Sequence, residues 1–124
     1  MSKDIYIEIK DRNTFLQYLK ENTGVMLFKF KASWCKPCKI IQDDVDKYFE
    51  KTNDNVTCFD IDIDEYSDVY KFLKSRKMVN GVPSILGYLK NNDTFVPDFN
   101  FSGTDKRQLN DFFDKINLVS NTYL

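Results

Sequence analysis

Hydrophobic and polar positions alternate in some stretches of the chain and recur at helical spacing in others, and the switches mark its elements. Ile5, Ile7 and Ile9 alternate with Tyr6 and Glu8, the period of a half-buried strand. From Asp11 to about Glu21 the period lengthens: Phe15, Leu16 and Leu19 share a helical face, Thr14 and Gln17 stand at capping-box spacing, and Asn22 to Gly24 ends the run. Val25 to Ala32 reads as a strand. Cys35 to about Lys51 reads as a helix with Ile40, Ile41, Val45, Tyr48 and Phe49 at core spacing. Val56 to Asp64 alternates strictly, with Thr57, Phe59, Ile61 and Ile63 on one face and Cys58, Asp60, Asp62 and Asp64 on the other. Glu65 to about Lys77 predicts a helix packed through Val69, Phe72 and Leu73, broken by Asn80-Gly81-Val82-Pro83. Ser84 to Leu89 and Phe95 to Phe101 predict a hairpin, with Pro97 placing the second strand at an edge or a bulge. A last helix, capped by Asp105 and Gln108, carries Leu109, Phe112, Phe113 and Ile116 at i, i+3, i+4, i+7, and Leu118 to Leu124 is expected to be a loose tail.

The chemistry lies in Trp34-Cys35-Lys36-Pro37-Cys38-Lys39, at the junction of the second strand and second helix. Two thiols three positions apart can close one small disulfide ring. A helix N-terminus at Cys35 favours a thiolate there, so Cys35 is the expected nucleophile. Cys38, one turn further in and expected to be less exposed, is placed to resolve the mixed disulfide that Cys35 forms with a substrate. Pro37 suits the first turn, where its missing N–H costs nothing, and Lys36 adds a positive charge beside the nucleophile. A zinc or iron–sulfur site would need about four ligands, whereas the chain has no histidine and only one further cysteine, Cys58. No bound metal or cofactor is therefore expected.

With 124 residues the chain is long enough for one domain with a real core, supplied by 11 Phe, 7 Tyr and one Trp. A formal net charge of −1 gives no field to recruit nucleic acid or a membrane surface. Charges interrupt the opening residues every few positions, and no run is apolar enough to span a bilayer. Three cysteines cannot make a disulfide framework. These features point to a soluble, cytoplasmic protein in a reducing compartment, and a monomer is expected.

The order βαβαβαββα, with Trp-Cys-x-Pro-Cys after the second strand, Val82-Pro83-Ser84 opening the fourth and Phe101-Ser102-Gly103 before the last helix, resembles the thioredoxin family over about residues 3 to 117. The resemblance implies an α/β thioredoxin fold, a mixed five-stranded sheet flanked by four helices. It also implies a cis Val82–Pro83 peptide against the disulfide, a substrate strand seated beside Val82, Pro83, Phe101, Ser102 and Gly103, and Trp34 as an apolar wall. The implied activity is reduction of protein disulfides, with a thioredoxin-reductase-type electron donor restoring the dithiol.

Departures from the family pattern are informative. The family usually has Gly where Lys36 stands, an aspartate at the position of Lys29, often an aromatic at that of Lys31, and often a lysine at that of Asp60. Lys29 and Asp60 are therefore expected to form a partly buried, swapped ion pair behind Cys38, so that a more distant carboxylate or a neutral Lys29 takes Cys38's proton. A cation beneath the thiols also stabilises the reduced form, which raises the expected potential above the thioredoxin value of about −270 mV. The contrary reading is that both lysines extend to water. Cys58 is expected to serve packing. Two alternatives to a reductase stay open: a more oxidising oxidase or isomerase, and a binding module that uses the groove only to dock.

Overall fold

The structure, a computed structural model, describes residues 3–123. Its elements run β1 (Ile5–Tyr6), α1 (Arg12–Glu21), β2 (Val25–Lys31), α2 (Lys36–Lys51), β3 (Val56–Asp62), α3 (Ser67–Ser75), β4 (Ser84–Leu89), β5 (Phe99–Ser102) and α4 (Lys106–Thr122). The sheet order is β1-β3-β2-β4-β5. β1, β3 and β2 are parallel, whereas β4 runs antiparallel to β2 and β5 to β4. The expected mixed sheet of five strands with four helices is the fold that forms.

β2 and β4 lie inside the sheet and are covered on both faces, which is why Val25-Met26-Leu27-Phe28 reads as a continuous apolar run rather than an alternation. On one face Phe28, Phe30, Phe59, Ile61, Leu86 and Tyr88 pack with Phe15 and Leu19 of α1 and Val69, Phe72 and Leu73 of α3. On the other, Val25, Leu27, Cys58, Ile85 and Phe101 pack with Ile41, Val45 and Phe49 of α2 and Leu109, Phe112, Phe113 and Ile116 of α4. Lys29 and Lys31 continue this second face toward the carboxyl end of β2. Two opposed apolar layers thus fix the register that aims β2 at Cys35.

Several element boundaries differ from the sequence pattern. β1 is only two residues long, and Ile7 is exposed while Ile9 is buried, because ladder pairing stops at Tyr6 opposite Phe59. α1 is capped by Asp11, whose carboxylate accepts the N–H of Thr14 at 2.8 Å, and not by a Thr14–Gln17 box; the Gln17 amide donates instead to Glu21. Ile40 is exposed, since Ile41, Val45 and Phe49 already set the buried stripe of α2. β5 is confined to Phe99–Ser102, with Pro97 just before it, and occupies the sheet edge. The tail expected from Leu118 is helical through Thr122, held by a buried Ser120 whose carbonyl accepts from the Asn55 amide at 2.7 Å; Leu124 lies outside the described residues.

Candidate active site

After β2, Ala32 is buried, Ser33 and Trp34 are exposed, and Cys35 stops the extended chain as the N-cap of α2. Its Sγ accepts the N–H of Cys38 at 3.1 Å, and its own N–H donates to the Ala32 carbonyl at 3.2 Å. Lys36 and Pro37 take the first two helical positions, where backbone N–H groups have no intrahelical partner, so the ring of Pro37 removes nothing. Cys35 and Cys38 are joined by a disulfide with Cα atoms 5.4 Å apart. Once the bond is opened, the N–H of Cys38 and the N-terminal dipole favour negative charge on the Cys35 sulfur.

Cys38 is not the less exposed of the two. Each cysteine is 3% exposed, because Val82 and Ile63 pack over the small cluster they form with Ala32. The Cys35 Sγ lies 3.5 Å from the carbonyl oxygen of Val82. The Val82–Pro83 peptide is cis, as the resemblance implied. The N–H of Gly103 donates to the Pro83 carbonyl at 3.4 Å, and Ser84 is the ladder partner of Ser102. The loop before β4, which brings Val82 against the disulfide, and the end of β5 at Ser102 and Gly103 therefore come together. Gly103 has φ +95°, a conformation that disfavours side chains, and the space around it is open. Phe101 does not share that surface. It is 5% exposed and its ring packs beside Phe112 in the core, because its register opposite Ile85 turns it toward α4. Trp34 is 66% exposed, and its indole N–H donates to the Asp64 carboxylate at 2.9 Å. Asp64 was legible only as part of the acidic alternation; β3 ends at Asp62, which frees Asp64 to turn toward Trp34.

Lys29 and Asp60 are register partners, and Lys29 Nζ lies 3.8 Å from Asp60 Oδ1. The side chain of Lys29 is completely buried, so it does not extend to water. Lys31 is the nearer cation: its Nζ donates to Asp60 Oδ2 at 3.2 Å. Among the described residues neither Lys29 Nζ nor Asp60 Oδ1 has a hydrogen-bond partner. Burial pushes the Lys29 ammonium below its usual pKa despite the opposing charge of Asp60, and burial raises Asp46, which feels Lys29 from α2. The expected single pair is thus a bridge of two lysines on one carboxylate.

That arrangement has a measurable consequence. Because Lys29 binds its proton less tightly in the folded chain than in the unfolded chain, the unfolded state holds more of it between the lowered folded value and the unfolded lysine value of about 10.4, and within that window stability rises with pH. Denaturant titrations across this range should show the wild type gaining stability relative to Lys29→Met, the comparison removing the opposite contribution of the raised Cys58, Tyr48 and Tyr88 that both chains share. Equal slopes would mean that Lys29 titrates as an exposed lysine does.

Beside Cys38 a cavity of about 240 Å³ is lined by Lys31, Ala32, Ser33, Cys38, Lys39, Gln42 and Asp62. Cys38 therefore shares an opening with Lys31 rather than with Lys29. Cys58 lies away from it, wholly buried opposite Leu27; Thr52 Oγ1 is 3.7 Å from its sulfur, and burial pushes the thiol up to about 11.

A family model described as thioredoxin matches residues 6–115. The chain belongs to the thioredoxin family. Mitochondrial thioredoxin of Bos taurus is 31% identical over 108 residues, covering 87% of this chain and 61% of the relative. Thioredoxin 3 of Plasmodium falciparum is 27% identical over 119 residues, covering 93% of this chain and 61% of the relative. The chain thus spans about three-fifths of the length of these thioredoxins. Among solved structures, thioredoxin of Malassezia sympodialis superposes with a TM-score of 0.71 at 19% identity, over 94% of this chain and 96% of that one. A Plasmodium falciparum thioredoxin gives 0.68 at 24% identity, over 94% and 91%. These neighbours share the thioredoxin fold. No helix among the described residues is long and apolar enough to cross a membrane.

Proposed function

We propose that the chain is a thiol–disulfide oxidoreductase that reduces protein disulfides through a Cys35/Cys38 cycle. The observation that carries this reading is the disulfide at the α2 N-terminus, with Cys35 Sγ accepting the N–H of Cys38 and lying against the Val82 carbonyl. Membership of the thioredoxin family supports it.

In the reduced chain the Cys35 thiolate attacks one sulfur of a substrate disulfide. The substrate S–S bond breaks, one substrate sulfur leaves as a thiolate that takes a proton, and Cys35 holds the other in a mixed disulfide. Cys38 gives up its proton and attacks the Cys35 sulfur, the mixed disulfide breaks, and the second substrate thiol is released. Two electrons from the chain, one proton from Cys38 and one from solvent have passed to the substrate. The chemistry needs no bound cofactor, and a thioredoxin-reductase-type donor restores the dithiol. Val82, Pro83, Ser102 and Gly103 seat the substrate strand, Trp34 forms the adjoining wall under the hold of Asp64, and Lys36 adds charge at the nucleophile. Lys29 and Asp60 set the electrostatics behind the pair. A single domain with its core over about residues 3 to 117, acting as a monomer in the cytoplasm, fits the odd cysteine count and the buried, unpaired Cys58.

The test is the equilibrium of the Cys35–Cys38 disulfide against graded glutathione or dithiothreitol buffers, followed through Trp34, the one tryptophan of the chain, together with the rate of insulin disulfide reduction. A reductase catalyses insulin reduction with a potential within about 50 mV of −270 mV. A potential near the disulfide isomerase value of about −180 mV would move the reading to an oxidase or isomerase. A chain that binds disulfide-bearing proteins without reducing them would be a docking module.

A further inference from the structure

The resolving step asks Cys38 to become a thiolate while it is 3% exposed, and burial alone opposes that charge. Something nearby has to compensate. Among the described residues, three charged groups line the cavity beside Cys38: Lys31 of β2, Asp62 of β3 and Lys39 of α2. Asp60 of β3 bonds Lys31 and pairs with the buried Lys29, which also feels Asp46 of α2. The Val82–Pro83 segment contributes no charge. Asp60 is shared between Lys29 and Lys31, and the wall itself carries Lys31 and Lys39 against Asp62.

We propose that Lys31 is the positioning cation for Cys38: across the cavity its ammonium favours the charged, attacking form of the resolving sulfur, while Asp60, backed by Lys29, fixes where that ammonium sits. The register places Lys31 opposite Asp62, and its side chain crosses to Asp60, giving it a fixed reach. An ammonium has three N–H donors, and the bond to Asp60 uses one. The other two remain for the cavity. Lys39 lies on the exposed side of α2 with no such anchor, so its charge is more mobile and better screened. The buried lysine thus acts at one remove: Lys29 helps to hold Asp60, and Asp60 holds Lys31. This role of Lys31 rests on the assignment of Cys38 as the resolving thiol and not on which disulfides the chain reduces.

The test isolates the Cys38 thiol. In full chains carrying Cys35→Ser, the Cys38 titration is followed by the chemical shift of its labelled Cβ, where Cys58 gives a separate signal. Adding Lys31→Met should raise the Cys38 midpoint by about one pH unit, a tenfold loss of acidity, and Lys31→Arg should recover most of it. Lys31→Gln, which keeps a hydrogen-bonding end for Asp60, should behave as Lys31→Met does, because the charge is the agent. With Cys35 intact, decay of its mixed disulfide with a small aromatic thiol at neutral pH should slow by roughly threefold in Lys31→Met. The tenfold fall in thiolate is partly offset by the greater nucleophilicity of a more basic thiol. An unchanged midpoint in Lys31→Met and Lys31→Gln overturns the proposal, as does a larger shift from Lys39→Gln than from Lys31→Met. Failure of the wild type to reduce insulin, with the Lys31-dependent shift intact, would count against the reductase reading and leave this one standing.

Discussion

A Cys38→Ser chain, reduced and mixed with a disulfide-bearing protein, should stop half-way through the cycle and accumulate as a covalent adduct through Cys35. The substitution leaves in place the backbone N–H that Cys35 Sγ accepts, so Cys35 keeps its stabilisation and the first exchange should proceed. No second sulfur then stands within reach. Cys58 cannot substitute, because it is fully buried on β3 and its thiol is pushed up to about 11. Well-oriented intramolecular groups reach effective concentrations of about 10⁵ M or more. Release therefore passes to external thiol at millimolar levels, and insulin turnover should fall by at least about a hundredfold. The adduct, seen by mass spectrometry without reductant, should contain one chain and one substrate and be absent when Cys35→Ser is used instead. Turnover close to wild type in Cys38→Ser would show that substrate thiols or solution thiols resolve the adduct, and the role of Cys38 would be lost.

Much of this site was legible because it is local in sequence. The spacing of Cys35 and Cys38, the first-turn place of Pro37 and the strand-to-helix switch at Trp34 depend on neighbours along the chain, and the α2 N-terminus forms there. The pairing of Lys29 with Asp60 was also readable, since alternation put both on known faces and the adjacent parallel strands set the register. Alternation could not show that Lys31 comes closer to Asp60 than Lys29 does, because that depends on side-chain paths: Lys29 is enclosed beneath α2, whereas Lys31, near the end of β2, can cross back over the ladder. Phe101 was misplaced for a similar reason. The resemblance placed it beside the substrate strand with Ser102 and Gly103, but the period of two turns its ring into the core and leaves Ser102 outside. The end of α4 was missed because Leu118, Ser120 and Asn121 break the apolar spacing. The helix continues there through polar contacts: Asn53 donates to Ser120 and Asn121, and Asn55 to the Ser120 carbonyl.

Phe28→Ala should be the most damaging of the simple core truncations, costing about 3–5 kcal/mol, a large share of the roughly 5–15 kcal/mol by which domains of this kind are stable. Phe28 is fully buried in the middle of β2. Its ring stacks on Phe59 at 4.5 Å between centroids and meets Phe15 edge-on at 5.0 Å and Tyr88 at 5.7 Å. Those partners come from β3, α1 and β4, so the sheet and the helix above it cannot close over the vacancy without moving strands that the opposite core also holds. The loss should appear as a lower urea midpoint at unchanged slope. Ile40→Ala is the matched control. Although the spacing of α2 suggested a core position, Ile40 is 56% exposed, and its truncation should stay within about 0.5 kcal/mol. β2 also carries the chain to Cys35, so Phe28→Ala tests whether the site is as rigid as its support. If the disulfide equilibrium of the folded variant matches the wild type while the midpoint falls, the α2 N-terminus and the Val82–Pro83 contact suffice to hold the site geometry. If both move together, the aromatic layer beneath β2 belongs to the redox machinery as much as to the core.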